Sequence, residues 1–244
     1  MKTALIFLNG YYDLTKLQFY LQEIETGRKN GATLICADGG IAIFDELNKM
    51  DDINLTPDFL IGDLDSINNP TTKPKHIVIN WIGKKDKDYT DGQLAVKHAI
   101  EENTSEHLII YGGLPRSEGY ETDHFLGNLK LLRLGYVLAK ENCSDYKVEM
   151  RDPQQTIHFV LSNLYLIGKN KGLQRVSLIA DDANAVVKSS QNLRWDLTSL
   201  HIHPDLTNTL RNEFIEGAEW AKLQLTEDSD PVYVIHNWYD SDIC

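Results

Sequence analysis

The chain has 244 residues, of which 42% are hydrophobic and 9% aromatic, as is ordinary for a globular protein and not for a disordered one. Its net charge of −12 argues against a nucleic-acid partner, because phosphate backbones are bound by clustered Lys and Arg. The three cysteines are far apart and form no paired motif, which favours reduced thiols and a cytoplasmic location. The apolar run Thr3–Leu8 is too short for a signal sequence, and no stretch approaches the roughly 20 apolar residues of a membrane helix, so we expect a soluble protein.

Short apolar runs alternate with helical patterns over the first 140 residues or so. The predicted strands are Thr3–Leu8, Ala32–Ala37, Asp58–Ile61, His76–Trp81 and His107–Tyr111. The predicted helices are Leu14–Glu25, Ile41–Asn48, Asp91–Glu102 and His124–Leu134. Buried strands that alternate with helices are typical of a parallel sheet covered on both faces. The sequence therefore predicts a doubly wound, mostly parallel α/β domain over residues 1–152.

The pattern changes near Asp152, after which short strand-like runs are separated by Gly, Asn, Asp and Pro. These runs are Ile157–Leu161, Leu164–Ile167, Val176–Ala180, Ala185–Lys188, Ser199–His203, Ala221–Thr226 and Val232–His236. Many short strands with frequent turns indicate an all-β sandwich or barrel. We predict a C-terminal β-sandwich domain over residues 153–244.

Glycine-containing turns follow four of the five predicted strands of the first domain. They are Asn9-Gly10, Asp38-Gly39-Gly40, Gly62-Asp63-Leu64-Asp65-Ser66 and Gly112-Gly113. Ligands of open parallel sheets bind beyond the carboxyl ends of the strands, and glycine lets backbone amides approach phosphate closely. One such turn is more often a simple tight connection, but four at one edge of the sheet predict a phosphate site.

Six aspartates lie between residues 58 and 91, at positions Asp58, Asp63, Asp65, Asp86, Asp88 and Asp91. In an extended chain the side chains of Asp63 and Asp65 point the same way. Asp88 and Asp91 share one face of a helix start, for which Thr90 and Gln93 have the spacing of a capping box. Such carboxylate pairs repel unless a divalent cation lies between them, and Mg²⁺ accepts carboxylates together with substrate phosphates. The alternative is a solvated acidic loop.

Lysines and a polar helix start accompany these acids. Lys87 is a candidate for offsetting charge on a leaving phosphate, whereas Lys84 and Lys85 fit a solvated loop equally well. Asp123 and His124 fit either a ligand site or an ordinary helix start. P-loop and Rossmann glycine fingerprints are absent, so a nucleotide would be held through metal and carboxylates.

At these positions the chain resembles the thiamine pyrophosphokinase family. The matching stretches of the first domain are Asp38-Gly39-Gly40, Pro57–Ser66, Lys87–Asp91, Gly112-Gly113-Leu114, and Asp123-His124 with Asn128. In the second domain the matches are Leu193–Leu197 and Asn212-Glu213-Phe214. The resemblance covers nearly the whole chain. Its most specific part is Gly-Asp-Leu-Asp-Ser combined with Asp-Tyr-Thr-Asp.

The resemblance implies an α/β catalytic domain, a C-terminal β-sandwich, and a homodimer with active sites at the subunit interface. It implies a thiamine diphosphokinase that moves pyrophosphate from Mg-ATP to the hydroxyl of thiamine, giving thiamine diphosphate and AMP. The implied metal ligands and catalytic residues are Asp63, Asp65, Asp88 and Asp91, with Lys87 beside them. The implied nucleotide-binding residues are Asp38, Gly39, Gly40, Thr90, Asp123, His124 and Asn128.

Two residues are implied to contact thiamine, Trp195 and Asn212. An aromatic face suits the cationic thiazolium. Without the resemblance, the preferred interpretation of Trp195 is a residue of the sandwich core.

The sequence departs from the family pattern at two places. Glu121 stands where the family carries an arginine just before the Asp-His pair, and we hypothesise that Arg116 supplies the missing cation to the nucleotide. Arg211 replaces the serine that the family has before Asn212. These departures leave three alternatives open: the same reaction on another heterocyclic alcohol such as a hydroxymethyl pterin, a metal-dependent phosphatase, and a non-catalytic nucleotide-binding protein. The phosphatase alternative requires Asp-x-Asp to follow the first strand, whereas Asp63 follows the third predicted strand.

Overall fold

The computed structural model describes residues 1–65, 67, 70–79, 89–114, 122–140, 146–169 and 172–238. The chain divides into two compact units, Met1–Pro153 and Gln154–Cys244. Unit 1 is built on parallel strands and helices, and unit 2 is built on antiparallel strands. Within the described residues, no helix combines the length and hydropathy that crossing a bilayer requires.

The sheet of unit 1 has six parallel strands in the order β6-β5-β1-β2-β3-β4. The strands are β1 Thr3–Phe7, β2 Thr33–Ala37, β3 Phe59–Gly62, β4 His76–Ile79, β5 His107–Tyr111 and β6 Lys147–Asp152. The order reverses direction at β1, so this is the doubly wound arrangement that the sequence predicts. The predicted fold class is confirmed.

In the part of unit 1 that the structure describes, four α-helices lie between these strands: α1 Leu17–Lys29, α2 Ala42–Leu47, α3 Asp91–Lys97 and α4 Thr122–Ala139. The predicted start of the first helix at Leu14 is wrong, because the Asp13 carboxylate caps a separate 3-10 turn over Leu14–Lys16. The predicted capping box at Thr90 and Gln93 is confirmed, and the end of that helix is a π-helical turn over His98–Glu102.

Alternate residues of the central strands are buried on opposite faces of the sheet. Leu5, Phe7 and Leu34 belong to a core cluster with Ile24 of α1 and Phe44 of α2. Ala4, Ile6 and Ile35 are also fully buried. A strand buried on both faces must be apolar at every position, which explains the continuous runs in the sequence.

The sequence does not predict strand β6, because four of its six residues, Lys-Val-Glu-Met-Arg-Asp, are charged. The structure shows how a sheet accommodates it: Glu149 is buried and its Oε1 lies 2.6 Å from Arg151 Nη2 and 2.9 Å from His107 Nε2. Arg151 also reaches Glu23 of α1, 2.7 Å away. Buried charges are tolerated when they are paired in this way. Burial alone would lower the pKa of Arg151, but Glu149 and Glu23 raise it above its ordinary value.

Unit 2 consists of two antiparallel sheets around one apolar core. The first has the order β12-β9-β14-β7, with β7 Gln155–Val160, β9 Gln174–Ala180, β12 Asn212–Glu213 and β14 Val232–Trp238. The second has the order β11-β10-β13-β8, with β8 Asn163–Ile167, β10 Ala185–Gln191, β11 His201–Ile202 and β13 Trp220–Leu225. The predicted strand Ser199–His203 is reduced to two residues, and β12 was not predicted.

Asp58 precedes β3 and holds the amino-terminal side of the sheet together. Its carboxylate accepts hydrogen bonds from the Leu34 backbone (2.8 Å), from Lys75 (2.7 Å) and from Arg28 of α1. Burial alone would raise the pKa of Asp58, but these bonds leave it below the ordinary value. This aspartate is therefore structural, in contrast to those that follow β3.

We predict that Asp58→Asn lowers the free energy of unfolding at pH 7 by about 1–3 kcal/mol. A depressed carboxyl pKa stabilises the folded state above the unfolded-state pKa of about 3.9 and this contribution disappears as the pH falls through the folded-state value. The difference between variant and wild type should therefore shrink below about pH 4. Urea denaturation at both pH values measures it, with the exposed Asp51→Asn as control; a difference independent of pH would contradict the assignment.

Candidate active site

Three aspartates converge beyond the carboxyl ends of β2 and β3. One carboxylate oxygen from each of Asp38, Asp63 and Asp91 lies within 4.8 Å of the others. Asp38 follows β2, Asp63 follows β3, and Asp91 is the first residue of α3. Three anions at this separation repel strongly at a partly buried site, so the arrangement favours a divalent cation between them.

Asp38 is the most enclosed of the three, with an exposed fraction of 3%. Its Oδ1 is buried and has no hydrogen-bond partner among the residues that the structure describes. The backbone of Asp38 has a φ of 46°, a left-handed conformation that is uncommon outside glycine. A left-handed backbone and a buried carboxylate oxygen without a hydrogen bond are both features expected of a cation ligand. The three side chains thus fit Mg²⁺.

Gly62 is the last residue of β3 and separates two of these carboxylates. A Cβ at this position would lie 3.0 Å from Asp91 Oδ1 and 3.2 Å from the Cβ of Asp38. Its φ of 146° is also one that other residues rarely adopt. The glycine of the Gly-Asp-Leu-Asp-Ser stretch therefore has a specific function, which is to let the carboxylates approach each other.

The remaining predicted metal ligands are placed differently. The expectation that Asp63 and Asp65 point the same way is wrong, because Leu64 between them has a φ of 64° and the chain is not extended. The Asp65 N–H instead donates to Asp63 Oδ1 at 3.3 Å, and Asp65 is not in the group of three. Asp88 and Lys87 lie outside the described residues, as do Arg116 and Glu121.

The predicted nucleotide-binding glycines lie in the 3-10 turn Asp38–Ile41. A Cβ on Gly40 would lie 2.0 Å from the Phe7 carbonyl oxygen, and one on Gly39 would lie 2.4 Å from Asn9 Oδ1. Both glycines therefore pack this turn against the end of β1. Because the turn carries Asp38, they also fix the position of its carboxylate.

A cavity of about 830 Å³ opens at the same edge of the sheet in unit 1. It is lined by the 9–15 segment after β1, by Ala42, Ile43 and Glu46, by Gly112, Gly113 and Leu114, and by His124, Phe125 and Asn128 of α4. Tyr12 forms part of its wall, and its hydroxyl donates to the Leu8 carbonyl at 2.8 Å. Burial raises the pKa of Tyr12 well above its ordinary value, so this phenol stays protonated.

The start of α4 contributes the predicted residues Asp123, His124 and Asn128. His124 is exposed and lines the cavity, and the Asn128 amide donates to the Gly113 carbonyl at 3.1 Å. Asp123 does not line the cavity, and its Oδ1 accepts from the His124 N–H at 2.9 Å. Thr90 caps α3 through its hydroxyl, 3.3 Å from the Gln93 N–H.

Several cavity residues were not identified from the sequence. They are Tyr11, Tyr12, Glu46 and Phe125, all of which line the cavity. In the segment after β1, the sequence pattern indicates only the Asn9-Gly10 turn. The signal available was two consecutive tyrosines directly after a strand-end glycine. The 9–15 segment and the start of α4 line the same cavity, and the sequence alone does not show that they are close in space.

The two residues predicted for thiamine lie in unit 2. Trp195 is 52% exposed, so its interpretation as a core residue is wrong. Asn212 is 3% exposed and forms hydrogen bonds to the Trp195 backbone. Arg211 has a φ of 60°, and its N–H donates to Ser177 Oγ at 3.0 Å.

Comparison with known proteins finds similarity to one group of enzymes. The family model described as "Thiamin pyrophosphokinase, catalytic domain" matches residues 26–143, a range that contains all three converging aspartates. A curated relative, the thiamine pyrophosphokinase of Bacillus subtilis, is 28% identical over 168 residues, which cover 68% of this chain and 73% of that protein. The chain is similar in sequence to the catalytic domain of thiamine pyrophosphokinases over residues 26–143.

Solved structures of thiamine pyrophosphokinases share the fold. The Bacillus subtilis structure has a TM-score of 0.71 at 20% identity and covers 98% of this chain and 100% of its own. The yeast structure has a TM-score of 0.68 at 17% identity, with coverage of 98% and 86%. At these identities the likeness establishes the family's fold alone.

We predict that Gly62→Ala lowers the affinity of the protein for Mn²⁺ by at least about tenfold, because the added methyl group forces the Asp91 and Asp38 carboxylates apart. Isothermal titration with Mn²⁺ measures the affinity. Gly31→Ala is the matched control, since Gly31 also has a positive φ of 76° but its Cβ would meet nothing within 4 Å. Equal losses in both variants would mean that backbone strain, and not the spacing of the carboxylates, is responsible.

Proposed function

We propose that this protein is a thiamine diphosphokinase, which transfers pyrophosphate from Mg-ATP to the hydroxyl of thiamine and yields thiamine diphosphate and AMP. The observation that carries the proposal is the convergence of Asp38, Asp63 and Asp91 at the sheet edge of a chain that is similar to the catalytic domain of thiamine pyrophosphokinases. In this proposal unit 1 binds the donor, and unit 2 supplies Trp195 to the acceptor.

The three converging aspartates would hold Mg²⁺, with Asp65, Asp88 and Lys87 completing the catalytic set. Bound there, Mg²⁺ offsets the negative charge of the donor's phosphates. The charge of the cluster itself supports this assignment, because an anionic triphosphate would be repelled by three carboxylates without a cation. Asp38 contributes most to preorganisation, since its oxygen is already buried and oriented by the turn at Gly39 and Gly40.

The nucleotide would occupy the cavity at the same edge of the sheet as the three aspartates, which do not themselves line it. Its volume of about 830 Å³ lies within the ordinary range for small-molecule sites. His124 and Asn128 line this cavity, and Tyr12 presents a neutral phenol to it. Asp38, Gly39, Gly40, Thr90, Asp123 and Arg116 remain predicted contributors to this donor site.

The transfer needs no covalent intermediate with the protein. The thiamine hydroxyl oxygen forms a bond to the β-phosphorus, the bond from that phosphorus to the bridging oxygen of the α-phosphate breaks, and AMP leaves while the hydroxyl proton is released. Catalysis of this kind is mainly positioning and electrostatic stabilisation. The half-exposed indole of Trp195 offers a face for the cationic thiazolium.

We propose a cytoplasmic homodimer. Unit 2 presents Tyr165 and Ile167 of β8, with exposed fractions of 55% and 66%, and the Tyr165 ring stacks on Trp220 with centroids 5.3 Å apart. An apolar patch of this kind on one sheet supports association with a second copy of the chain. The net charge of −12 and the acidic catalytic edge support small-molecule partners rather than nucleic acid.

We predict that purified protein incubated with ATP, Mg²⁺ and thiamine forms AMP and thiamine diphosphate in equal amounts, as separated and identified by mass spectrometry. Formation of ADP and thiamine monophosphate would contradict pyrophosphoryl transfer. Turnover with a hydroxymethyl pterin but not with thiamine would mean that the pterin alcohol, and not thiamine, is the acceptor. Phosphate release without an acceptor would favour a phosphatase, and nucleotide binding without turnover of either alcohol would favour a non-catalytic protein.

We predict that Asp91→Asn lowers kcat by roughly 100-fold or more, because one of the converging charges is removed while the shape is kept. Steady-state kinetics with saturating Mg²⁺ measure this change, and a thermal melt confirms folding. Asp228→Asn, at an exposed position in unit 2, is the control and should leave kcat unchanged. An active Asp91→Asn enzyme would remove the carboxylate cluster from the mechanism.

A further inference from the structure

Both polar atoms of the Asn212 side chain form hydrogen bonds within unit 2. Its Nδ2 donates to the Trp195 carbonyl at 2.7 Å, and its Oδ1 accepts from the Trp195 N–H at 3.1 Å. The same Oδ1 accepts from the Glu213 N–H at 2.9 Å. With an exposed fraction of 3%, Asn212 is enclosed by the chain that it binds. Because the side chain is buried and its three hydrogen bonds all go to backbone groups of Trp195 and Glu213, it is better placed to hold the chain than to contact a substrate.

The turn that carries Trp195 is fixed to β12 by further contacts. Leu193 forms an isolated antiparallel bridge with Phe214, and the Arg194 N–H donates to the Glu213 carbonyl at 2.8 Å. Together with the two hydrogen bonds between Asn212 and the Trp195 backbone, these contacts restrain Trp195 and the two residues that precede it. An exposed indole in a turn would otherwise sample many orientations, each of which costs entropy when a ligand binds.

One face of the Trp195 ring is already covered. The Arg194 guanidinium lies over it, 4.9 Å from the ring centroid, and its Nη1 pairs with Glu213 at 2.8 Å. Glu213 thus holds the arginine while the neighbouring Asn212 holds the tryptophan backbone. The indole is nevertheless 52% exposed, which leaves the opposite face for a planar ligand.

We infer that Asn212 is a positioning residue of the acceptor site: it fixes Trp195 so that the indole face opposite Arg194 receives the acceptor's ring, and it does not itself contact the acceptor. This inference rests on the proposed function, because it takes thiamine as the acceptor. It differs from the sequence-based expectation, in which Asn212 is a thiamine ligand. Preorganisation of an aromatic platform by a buried amide is the physical basis.

A double-mutant cycle distinguishes the two roles. Asn212→Ala should lower kcat/KM for thiamine roughly tenfold, mainly through KM, while the KM for ATP stays unchanged. In a Trp195→Ala background the same substitution should have no further effect, because the residue that it positions is gone. Multiplication of the two losses would show that Asn212 contacts the acceptor directly and would overturn the inference.

Two further variants make the outcome independent of general destabilisation. Asn212→Asp keeps an oxygen for the Trp195 and Glu213 N–H groups but places a second oxygen against the Trp195 carbonyl, so its loss should be at least as large as that of Asn212→Ala and should also vanish without Trp195. Thr209→Val removes another buried side-chain bond of unit 2, from the Thr209 hydroxyl to the Leu178 carbonyl, and should leave the KM for thiamine unchanged. An equal rise in KM for Thr209→Val would overturn the inference.

The controls also separate this inference from the proposed function. Absence of thiamine turnover by the wild-type protein contradicts the proposed function itself. An active wild-type enzyme whose cycle is multiplicative contradicts only the positioning role of Asn212. Calorimetric titration with thiamine gives a second readout that does not depend on turnover, and it should show the same non-additivity.

Discussion

The site depends on one electrostatic constraint: three carboxylates are held closer together than their charges favour. Asp38, Asp63 and Asp91 come from three different segments and meet within 4.8 Å, with Gly62 between two of them. Bringing anions together and burying one of them costs free energy unless a cation offsets the charge. This arrangement therefore favours a divalent cation between the three carboxylates, which is the basis of the proposed metal site.

The surrounding architecture turns this constraint into a usable site. Parallel strands end at one edge of the sheet, so segments that are far apart in sequence meet there without a specialised loop. The turn at Gly40 packs against β1, and the capping box at Thr90 starts α3 at Asp91. Unit 2 presents the half-exposed indole of Trp195, whose backbone forms hydrogen bonds with Asn212.

The sequence predicts the strand-end turns, the capping box and the likeness to thiamine pyrophosphokinases, because each of these depends on local spacing. It does not predict that the Asp38 carboxylate lies close to those of Asp63 and Asp91, since this follows from the left-handed φ of Asp38 and from the contacts of the next two glycines. The alternation rule fails for Asp63 and Asp65 because Leu64 is left-handed. Strand β6 was overlooked because Glu149 and Arg151 appear solvated until their buried partners are known. Without the family resemblance, hydrophobicity places Trp195 in the core, because hydrophobicity does not indicate which way the side chain of a turn residue faces.

The most direct test of the shared cation is a crystal structure of the protein with Mn²⁺ and a non-hydrolysable ATP analogue, examined by anomalous diffraction at the manganese edge. The account predicts an anomalous peak within bonding distance of Asp38, Asp63 and Asp91, with phosphate oxygens of the analogue completing its coordination. A nucleotide bound in the cavity with no anomalous peak among these three carboxylates would contradict it.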